Sequence, residues 1–138
     1  MSLGKKVRVH SGSKIKVRST AKLVLEDNVH LNYNCIIVCR KSIHIGEGTE
    51  FGPSVYIYDH DHDYKKGLKQ KYFKESDIKI GKNCWIGANT IILKGTTIGD
   101  NCVIGAGSVV KGDIQSNSVF IQKRETQIFT YPIMENTK

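Results

Sequence analysis

Several features that define whole classes of protein are missing from this chain of 138 residues. It has two prolines and one tryptophan, and no apolar run approaches the ~20 residues that a membrane-spanning helix needs. The first ten residues, MSLGKKVRVH, carry charge but no apolar stretch, so we expect no secretory signal. We therefore expect a cytoplasmic protein that does not insert into a membrane.

Cysteine is also scarce, with four residues at positions 35, 39, 84 and 102. Without a secretory signal, reduced thiols are the expectation. Cys84 and Cys102 are 18 residues apart, which favours packing at equivalent places of a repeat. Because side chains alternate between the two faces of a strand, we expect Cys35 and Cys39 not to share a metal ion. We predict no metal site.

Acidic residues are fewer than basic ones, 13 against 21, which gives a formal net charge of +8. Such a balance favours an anionic partner. The sequence has no helix-turn-helix pattern, no zinc-finger spacing and no aromatic-rich RNA-binding motif, so we expect no nucleic-acid partner. A phosphate-bearing small cofactor fits this charge equally well.

A repeat of six residues dominates the second half of the chain. From Ile80 to Gln115 the sequence reads IGKNCW, IGANTI, ILKGTT, IGDNCV, IGAGSV and VKGDIQ. A large aliphatic residue opens each unit, and a small residue usually precedes it by two positions. This period predicts an all-β parallel β-helix, in which each short strand buries its apolar side against the next coil.

The repeat extends backwards through two register breaks. Ile45 follows Ile37 by eight positions, two more than the repeat of six, which predicts a two-residue bulge. Ile80 follows Ile57 by 23 positions. We therefore predict one domain, 1–138, divided into an N-terminal cap, first coils, a protruding loop, later coils and a tail: 1–20, 21–58, 59–79, 80–121 and 122–138. A loop this long inside a compact domain is typically functional.

The segments WIGA, GTTIGDN and VIGAGSVV, within residues 80–112, resemble those of hexapeptide-repeat acyltransferases. Similarity is greatest to sugar and surface-polysaccharide O-acetyltransferases of the galactoside and maltose type. This resemblance implies a left-handed parallel β-helix, a homotrimer with active sites between subunits, and direct acetyl transfer from acetyl-CoA to a sugar hydroxyl. Polysaccharide biosynthesis is the implied setting.

The resemblance also implies roles for individual residues. His62, at the start of the loop, matches the general base, and His60 is the near alternative. Ala88 matches the position whose backbone N–H lies near the thioester carbonyl. Trp85 corresponds to an aromatic wall of the acceptor or acetyl site, and Asn34 to an acceptor contact. Each has a structural alternative, namely a solvated corner, a turn or a tryptophan packed under the loop.

Cofactor contacts are implied at five further positions. Gly105 and Ala106 match the place where backbone groups bind the pantetheine amides. Lys111, Lys123 and Arg124 could meet the phosphates, although here the chain departs from the family pattern by reading KGD and IQKR. Another departure follows Asn34, where Val38, Cys39 and Arg40 stand in place of acidic residues of the relatives.

Other functions stay open at this point. Transfer to an amine of an amino sugar uses the same groups, and a non-catalytic hexapeptide trimer needs none of them. A γ-type carbonic anhydrase has the same fold but needs three converging histidines, and this chain offers only His60 and His62 in the loop.

Overall fold

The computed structural model describes residues 1–68 and 72–134, and its main body is a parallel β-solenoid. The first sheet stacks β1 (Ser2–Leu3), β4 (Lys22–Leu25), β7 (Ser42–Ile45), β12 (Ile78–Ile80), β15 (Thr97–Ile98) and β18 (Asp113–Ile114). The second stacks β2 (Arg8–Val9), β5 (His30–Leu31), β8 (Glu50–Phe51), β13 (Trp85–Ile86), β16 (Val103–Ile104) and β19 (Val119–Phe120). The third stacks β3 (Lys14–Val17), β6 (Ile36–Cys39), β9 (Tyr56–Tyr58), β14 (Ile91–Ile92) and β17 (Val109–Val110).

Each coil passes once through the three sheets and therefore has three corners. We call the turn from the first to the second sheet the first corner and the next turn the second corner. The third corner leads from the third sheet to the first sheet of the next coil. A short antiparallel hairpin, β10 (His60–His62) with β11 (Phe73–Glu75), leaves the solenoid at the third corner.

Columns of aliphatic residues fill the interior, as the repeat predicts. In the first sheet, Ile45, Ile80 and Ile98 follow one another in register and are all buried. The small-residue positions are buried as well, at Cys84, Thr90, Thr96, Cys102 and Ser108. The buried residues of all the coils form one continuous apolar core. Burial of each large aliphatic side chain contributes about 1.5–3 kcal/mol to it.

The predicted bulge between Ile37 and Ile45 is wrong. Instead, the strands on either side of the third corner are each four residues long, and Cys39 and Ile43 are buried beside Ile37 and Ile45. The two additional residues therefore widen the coil. The argument that alternation separates Cys35 from Cys39 is also wrong, because both side chains are buried in the interior of the solenoid.

One corner near the end of the repeat is shorter than the sequence predicts. Ile114 pairs with Ile98 in the first sheet and is the next inward aliphatic residue after Val110. It follows Val110 by only four positions instead of six. VKGDIQ is thus not a regular sixth unit. Phe120 then follows Ile114 after six residues and pairs with Ile104.

The ends of the solenoid and the loop differ in detail from the predicted boundaries. Within the expected cap, 1–20, strands β1 to β3 make a full coil that pairs with β4 to β6. The loop returns to the sheet at Ile78, and its residues 69–71 lie outside the described residues. Of the tail, residues 121–134 are exposed without regular structure, and 135–138 lie outside the described part.

The first two corners are built around residues with left-handed backbone geometry. At the first corner these residues include Asn28, Asn83 and Asn101, and at the second they include Asn34 and Asn89, all with φ between 54° and 60°. Asparagine tolerates this conformation better than most residues do. Within the described ranges, no helix has the length and apolar character to cross a membrane.

Candidate active site

A buried carboxylate organises the third corner where the hairpin begins. Asp59 has no exposed surface, and its two oxygens accept hydrogen bonds from the backbone N–H groups of Arg40, Lys41 and Ser42 at 2.9, 2.7 and 2.9 Å. Asp59 Oδ1 also lies 3.1 Å from Nδ1 of His60. Because a carboxylate only accepts, this contact places the ring proton on Nδ1 and leaves Nε2 of His60 available.

The two histidines of the hairpin both contact one aromatic ring. The Phe73 ring centroid is 5.4 Å from that of His60, in an edge-on arrangement, and 4.9 Å from that of His62, in a tilted one. Strand β10 places residues 60 and 62 on the same face, as two-residue periodicity predicts. His62 is the more exposed, and its ring has no hydrogen-bond partner among the described residues.

Both histidines line an open cavity of about 480 Å³ beside the hairpin. Three basic side chains, those of Lys16, Arg18 and Arg40, line it too, and Val38 and Phe73 contribute apolar surface. The cavity therefore brings together two imidazoles, three cations and an aromatic ring. Such a mixture of apolar walls and a few polar groups is typical of a small-molecule site.

The environment of the cysteine at this cavity disfavours its reactive thiolate form. Cys39 also lines the cavity, and burial together with the nearby Asp59 carboxylate raises the pKa of its thiol to about 12. Burial likewise raises the pKa values of Cys35 and Cys84. A thiol that stays protonated at neutral pH is a poor nucleophile, so these cysteines are packing residues.

The second corner carries backbone donors that have no acceptor. The N–H groups of Ala88 and Ala106, at equivalent positions of successive coils, make no hydrogen bond with any residue in the described ranges. At the first corner the equivalent N–H groups of Lys82 and Asp100 donate to Asp100 Oδ1 and Ser116 Oγ at 2.8 and 2.9 Å. The free donors of the second corner can therefore bind ligand carbonyl oxygens.

Trp85 and Asn34 lie on the same side of the solenoid as these donors. Trp85 projects from the outer face of the second sheet, between Glu50 and Val103 of the neighbouring coils, and is 44% exposed. It does not pack under the loop, which leaves from another corner. Asn34 is a left-handed residue of the second corner, and its backbone N–H donates to the carbonyl of Ser11 in the preceding coil, so the turn alone accounts for an asparagine there.

The residues expected to hold the cofactor divide between two corners. Gly105 and Ala106 belong to the second corner. The tail folds back over it, because Gln122 forms two hydrogen bonds of 2.8 Å with the backbone of Val109 and the Arg124 guanidinium donates to the carbonyl of Gly107. Lys123 is exposed beside Arg124, whereas Lys111 is exposed at the third corner.

One chain therefore contains two half-sites that do not meet. The hairpin histidines lie at the third corner, and Ala88, Trp85, Gly105, Ala106 and Arg124 lie around the second corner. The third sheet separates them. Its outer face is largely apolar, with Ile36, Val38, Tyr56, Tyr58, Ile91 and Val109.

The sequence analysis assigned no role to three residues that shape the cavity, Asp59, Arg40 and Phe73. For Asp59 the available signal was its place directly after the inward-facing Ile57 and the outward-facing Tyr58, because a residue there starts the turn. Phe73 gave no signal, since it belongs to β11, which the sequence analysis treated as loop.

Comparison with known proteins agrees with this architecture. Residues 77–112 match the family described as bacterial transferase hexapeptide (six repeats). The chain carries this hexapeptide repeat. Nodulation protein L of Rhizobium leguminosarum bv. viciae is 45% identical over 70 residues, which cover 50% of this chain and 37% of that protein.

Solved structures of hexapeptide-repeat acetyltransferases share the fold. A maltose O-acetyltransferase from Clostridium difficile 630 is 39% identical, with a TM-score of 0.75 over 86% of this chain and 63% of that one. The acetyltransferase VCA0836 of Vibrio cholerae, complexed with acetyl coenzyme A, is 28% identical, with a TM-score of 0.72 over 84% and 63%. The solenoid is thus a left-handed β-helix, and the resemblance to hexapeptide-repeat acyltransferases is confirmed. The chain spans less than two thirds of the length of each relative.

Proposed function

We propose that this hexapeptide-repeat chain transfers an acetyl group from acetyl-CoA to a hydroxyl of a sugar or surface-glycan precursor. The observation that carries the proposal is the pair of hairpin histidines lining an open cavity on a fold shared with O-acetyltransferases. The relative in complex with acetyl coenzyme A supports acetyl-CoA as the donor. Because acetyl-CoA is a cytoplasmic metabolite, the reaction belongs in the cytoplasm.

His62 is the proposed general base. Its neutral imidazole takes the proton of the acceptor hydroxyl, and the oxygen attacks the thioester carbonyl carbon. The tetrahedral intermediate expels the CoA thiolate, which receives the proton from the imidazolium. The free Ala88 N–H stabilises the negative oxygen of the intermediate. No covalent bond to the protein is formed. His60, with its ring fixed by Asp59, lies on the acceptor side of the same cavity.

The homotrimer is part of the proposal because the two half-sites lie at different corners of one chain. A neighbouring copy that sets its second corner against the hairpin of the first completes a site with His62 on one side and Ala88 and Trp85 on the other. The apolar outer face of the third sheet is suited to such a contact. Exposed apolar residues of the tail, Ile128, Phe129, Tyr131, Ile133 and Met134, add to the surface available for association.

Cofactor contacts follow from the same arrangement. The pantetheine amides bind backbone groups at Gly105 and Ala106, and the phosphates meet Arg124 and Lys123 on the same corner. Lys111 reaches the phosphates only from a neighbouring copy, because it lies at the third corner of its own chain. Asn34 offers the acceptor an amide from the second corner.

Replacing each histidine separately tests the assignment. We expect His62→Ala to lower kcat for acetyl transfer about 100- to 10,000-fold, with little change in acetyl-CoA affinity. His60→Ala should have a smaller effect on kcat. His44→Ala is the matched control, because His44 is exposed on the outer face of the first sheet.

The measurements are thiol release from acetyl-CoA with a panel of sugars and amino sugars, and calorimetric titration with acetyl-CoA. Full activity of His62→Ala would refute the base assignment. Acetyl-CoA binding without transfer to any acceptor would instead favour a non-catalytic trimer, and transfer to amines alone would favour N-acetylation.

A further inference from the structure

The cavity beside the hairpin is strongly cationic in a way that acetyl transfer to a neutral sugar does not require. Lys16, Arg18 and Arg40 line it, and none of its lining residues is acidic. The Glu75 carboxylate pairs with two of these cations, because its Oε1 is 3.5 Å from Arg18 Nη1 and 3.8 Å from Arg40 Nε, and the buried Asp59 carboxylate contacts His60 and the backbone of Arg40. One carboxylate therefore faces two arginines, and within the described residues Lys16 has no ion pair. At least one positive charge is left over.

Arg40 is the most constrained of these cations. Its side chain is only 22% exposed, and its Nε is buried without a hydrogen-bond partner in the described part of the chain. The guanidinium carbon lies 3.7 Å from the centroid of the Phe73 ring. Stacking on an aromatic ring orients a guanidinium but satisfies none of its N–H donors. A buried donor without an acceptor is costly, and an anionic oxygen that enters the cavity relieves this cost.

The same buried carboxylate holds Arg40 and the histidine side of the site. Asp59 Oδ1 accepts from the backbone N–H of Arg40 at 2.9 Å and lies 3.1 Å from His60 Nδ1. The backbone of Arg40 and the His60 imidazole are thus fixed relative to each other by a residue with no exposed surface. Such rigidity is what a site needs when one part of a substrate is bound while another part reacts.

The cofactor phosphates do not account for these charges. The candidate phosphate contacts, Lys123 and Arg124, follow the last strand, and the free donors Ala88 and Ala106 lie between them and the early coils. Lys16 and Arg18 belong to the first coil and Arg40 to the second. Along the solenoid axis, the cations of the cavity therefore lie on the opposite side of Ala88 from the phosphate contacts.

We propose that the acceptor is an anionic sugar, with a carboxylate or phosphate group bound by Arg18, Arg40 and Lys16 while its hydroxyl reaches the histidine. This inference rests on the proposed function for the location of the acceptor. A sugar acid and a sugar phosphate share the anionic oxygens that a guanidinium recognises, often with two parallel hydrogen bonds. Neutral galactosides and maltose lack this group.

Equilibrium binding tests the inference without depending on turnover. The full chain, saturated with CoA so that the phosphate contacts of the cofactor are occupied, is titrated calorimetrically with glucuronate, glucose 1-phosphate and glucose. We expect at least one anionic sugar to bind on the order of 10- to 100-fold more tightly than glucose, and added salt to weaken its binding. The two anionic ligands distinguish a carboxylate from a phosphate acceptor.

Matched variants locate the binding. Arg18→Gln should reduce the preference for the anionic sugar about tenfold, and Arg40→Gln should abolish it, while Lys79→Gln should leave it unchanged. Lys79 is the control because it is exposed on the outer face of the first sheet and loses the same charge. Arg18 is half-exposed, so its variant keeps the test valid if Arg40→Gln unfolds.

Equal or undetectable binding of all three sugars would overturn the inference, as would an equal loss of binding in Lys79→Gln. The outcome is distinct from that of the proposed function. Acetyl transfer to neutral sugars with no anion preference contradicts only the anionic acceptor. Anion binding at Arg18 without transfer to any acceptor supports the anion site and contradicts the acetyltransferase.

Discussion

The first and second corners of this solenoid are made from the same repeat but end in different chemistry. At the first corner, turn N–H groups donate to side chains of the next coil, as Lys5 does to Asp27 at 2.7 Å and Lys82 to Asp100 at 2.8 Å. At the second corner, the N–H groups of Ala88 and Ala106 have no acceptor within residues 1–68 and 72–134. The sequence difference is small, since IGKN and IGDN stand against IGAN and IGAG.

This difference separates the residues that stabilise the stack from those available to a ligand. At the first corner a side-chain acceptor closes the turn, and at the third corner the Asp59 carboxylate closes it. The short side chains of Ala88 and Ala106 give neither an acceptor nor bulk, so a ligand can approach the backbone of the second corner there. Sites built on bare backbone depend on the rigidity of the elements around them, and here the closed corners supply it.

Removal of the closing group at the third corner should have the largest effect on stability. Asp59→Ala leaves three backbone N–H groups without their acceptor, and we expect a loss of about 3 to 5 kcal/mol in the free energy of unfolding. Urea unfolding monitored by circular dichroism measures it. Asp77→Ala is the control, because Asp77 is an exposed partner of Lys41 in the same loop, and a surface ion pair contributes only about 0–1 kcal/mol. Equal losses in both variants would contradict this account.

Hexapeptide periodicity made most of the fold predictable. Each inward position repeats after six residues, so burial of Ile80, Ile86, Ile92, Ile98 and Ile104 could be predicted without coordinates. The deviations fell where the third corner varies in length, at Ile37 to Ile45 and at Val110 to Ile114. Corners carry little periodic signal, because a corner can lengthen or shorten while the inward columns stay aligned.

The candidate site was only partly predictable. Both hairpin histidines could be placed on one face of a strand because their spacing is two. Their shared ring contact with Phe73 could not, because it depends on an antiparallel pairing across a loop with no repeat. The surroundings of Arg40 depend on the same pairing, through Phe73 and Glu75. Long-range pairing is therefore the information that the repeat did not contain.

A methyl group added at the second corner should lower the free energy of unfolding by an intermediate amount. A Cβ at Gly87 would lie 2.5 Å from the backbone nitrogen of Ala106 in the next coil, so Gly87→Ala should cost about 1–3 kcal/mol. At Gly105 the nearest atom is the carbonyl oxygen of Phe120 at 3.2 Å, in the last strand of the solenoid. Gly105→Ala should therefore cost less than about 1 kcal/mol. Thermal unfolding of the two variants compares them, and a larger loss for Gly105→Ala would contradict the covered position of Gly87.

The smallest loss in the free energy of unfolding is expected when the acceptor at the first corner is removed. Asp100→Ala removes the acceptor of the Lys82 N–H, and because this group is exposed to water the expected loss is about 0.5–1.5 kcal/mol. Acetyl-CoA affinity should not change, since the new free donor lies away from the proposed cofactor corner. Asp113→Ala, an exposed change on the first sheet, should leave both quantities unchanged.

Urea unfolding and calorimetric titration of the same samples separate the two corners. Weaker acetyl-CoA binding in Asp100→Ala than in Asp113→Ala would mean that the first corner also takes part in the site. The division between closed and open corners would then fail, because a corner whose Lys82 and Asp100 N–H groups are paired would have a ligand-binding role. Unchanged affinity with reduced stability would instead assign the paired donors to the stack, and would leave the free donors of Ala88 and Ala106 as the backbone groups available to the thioester.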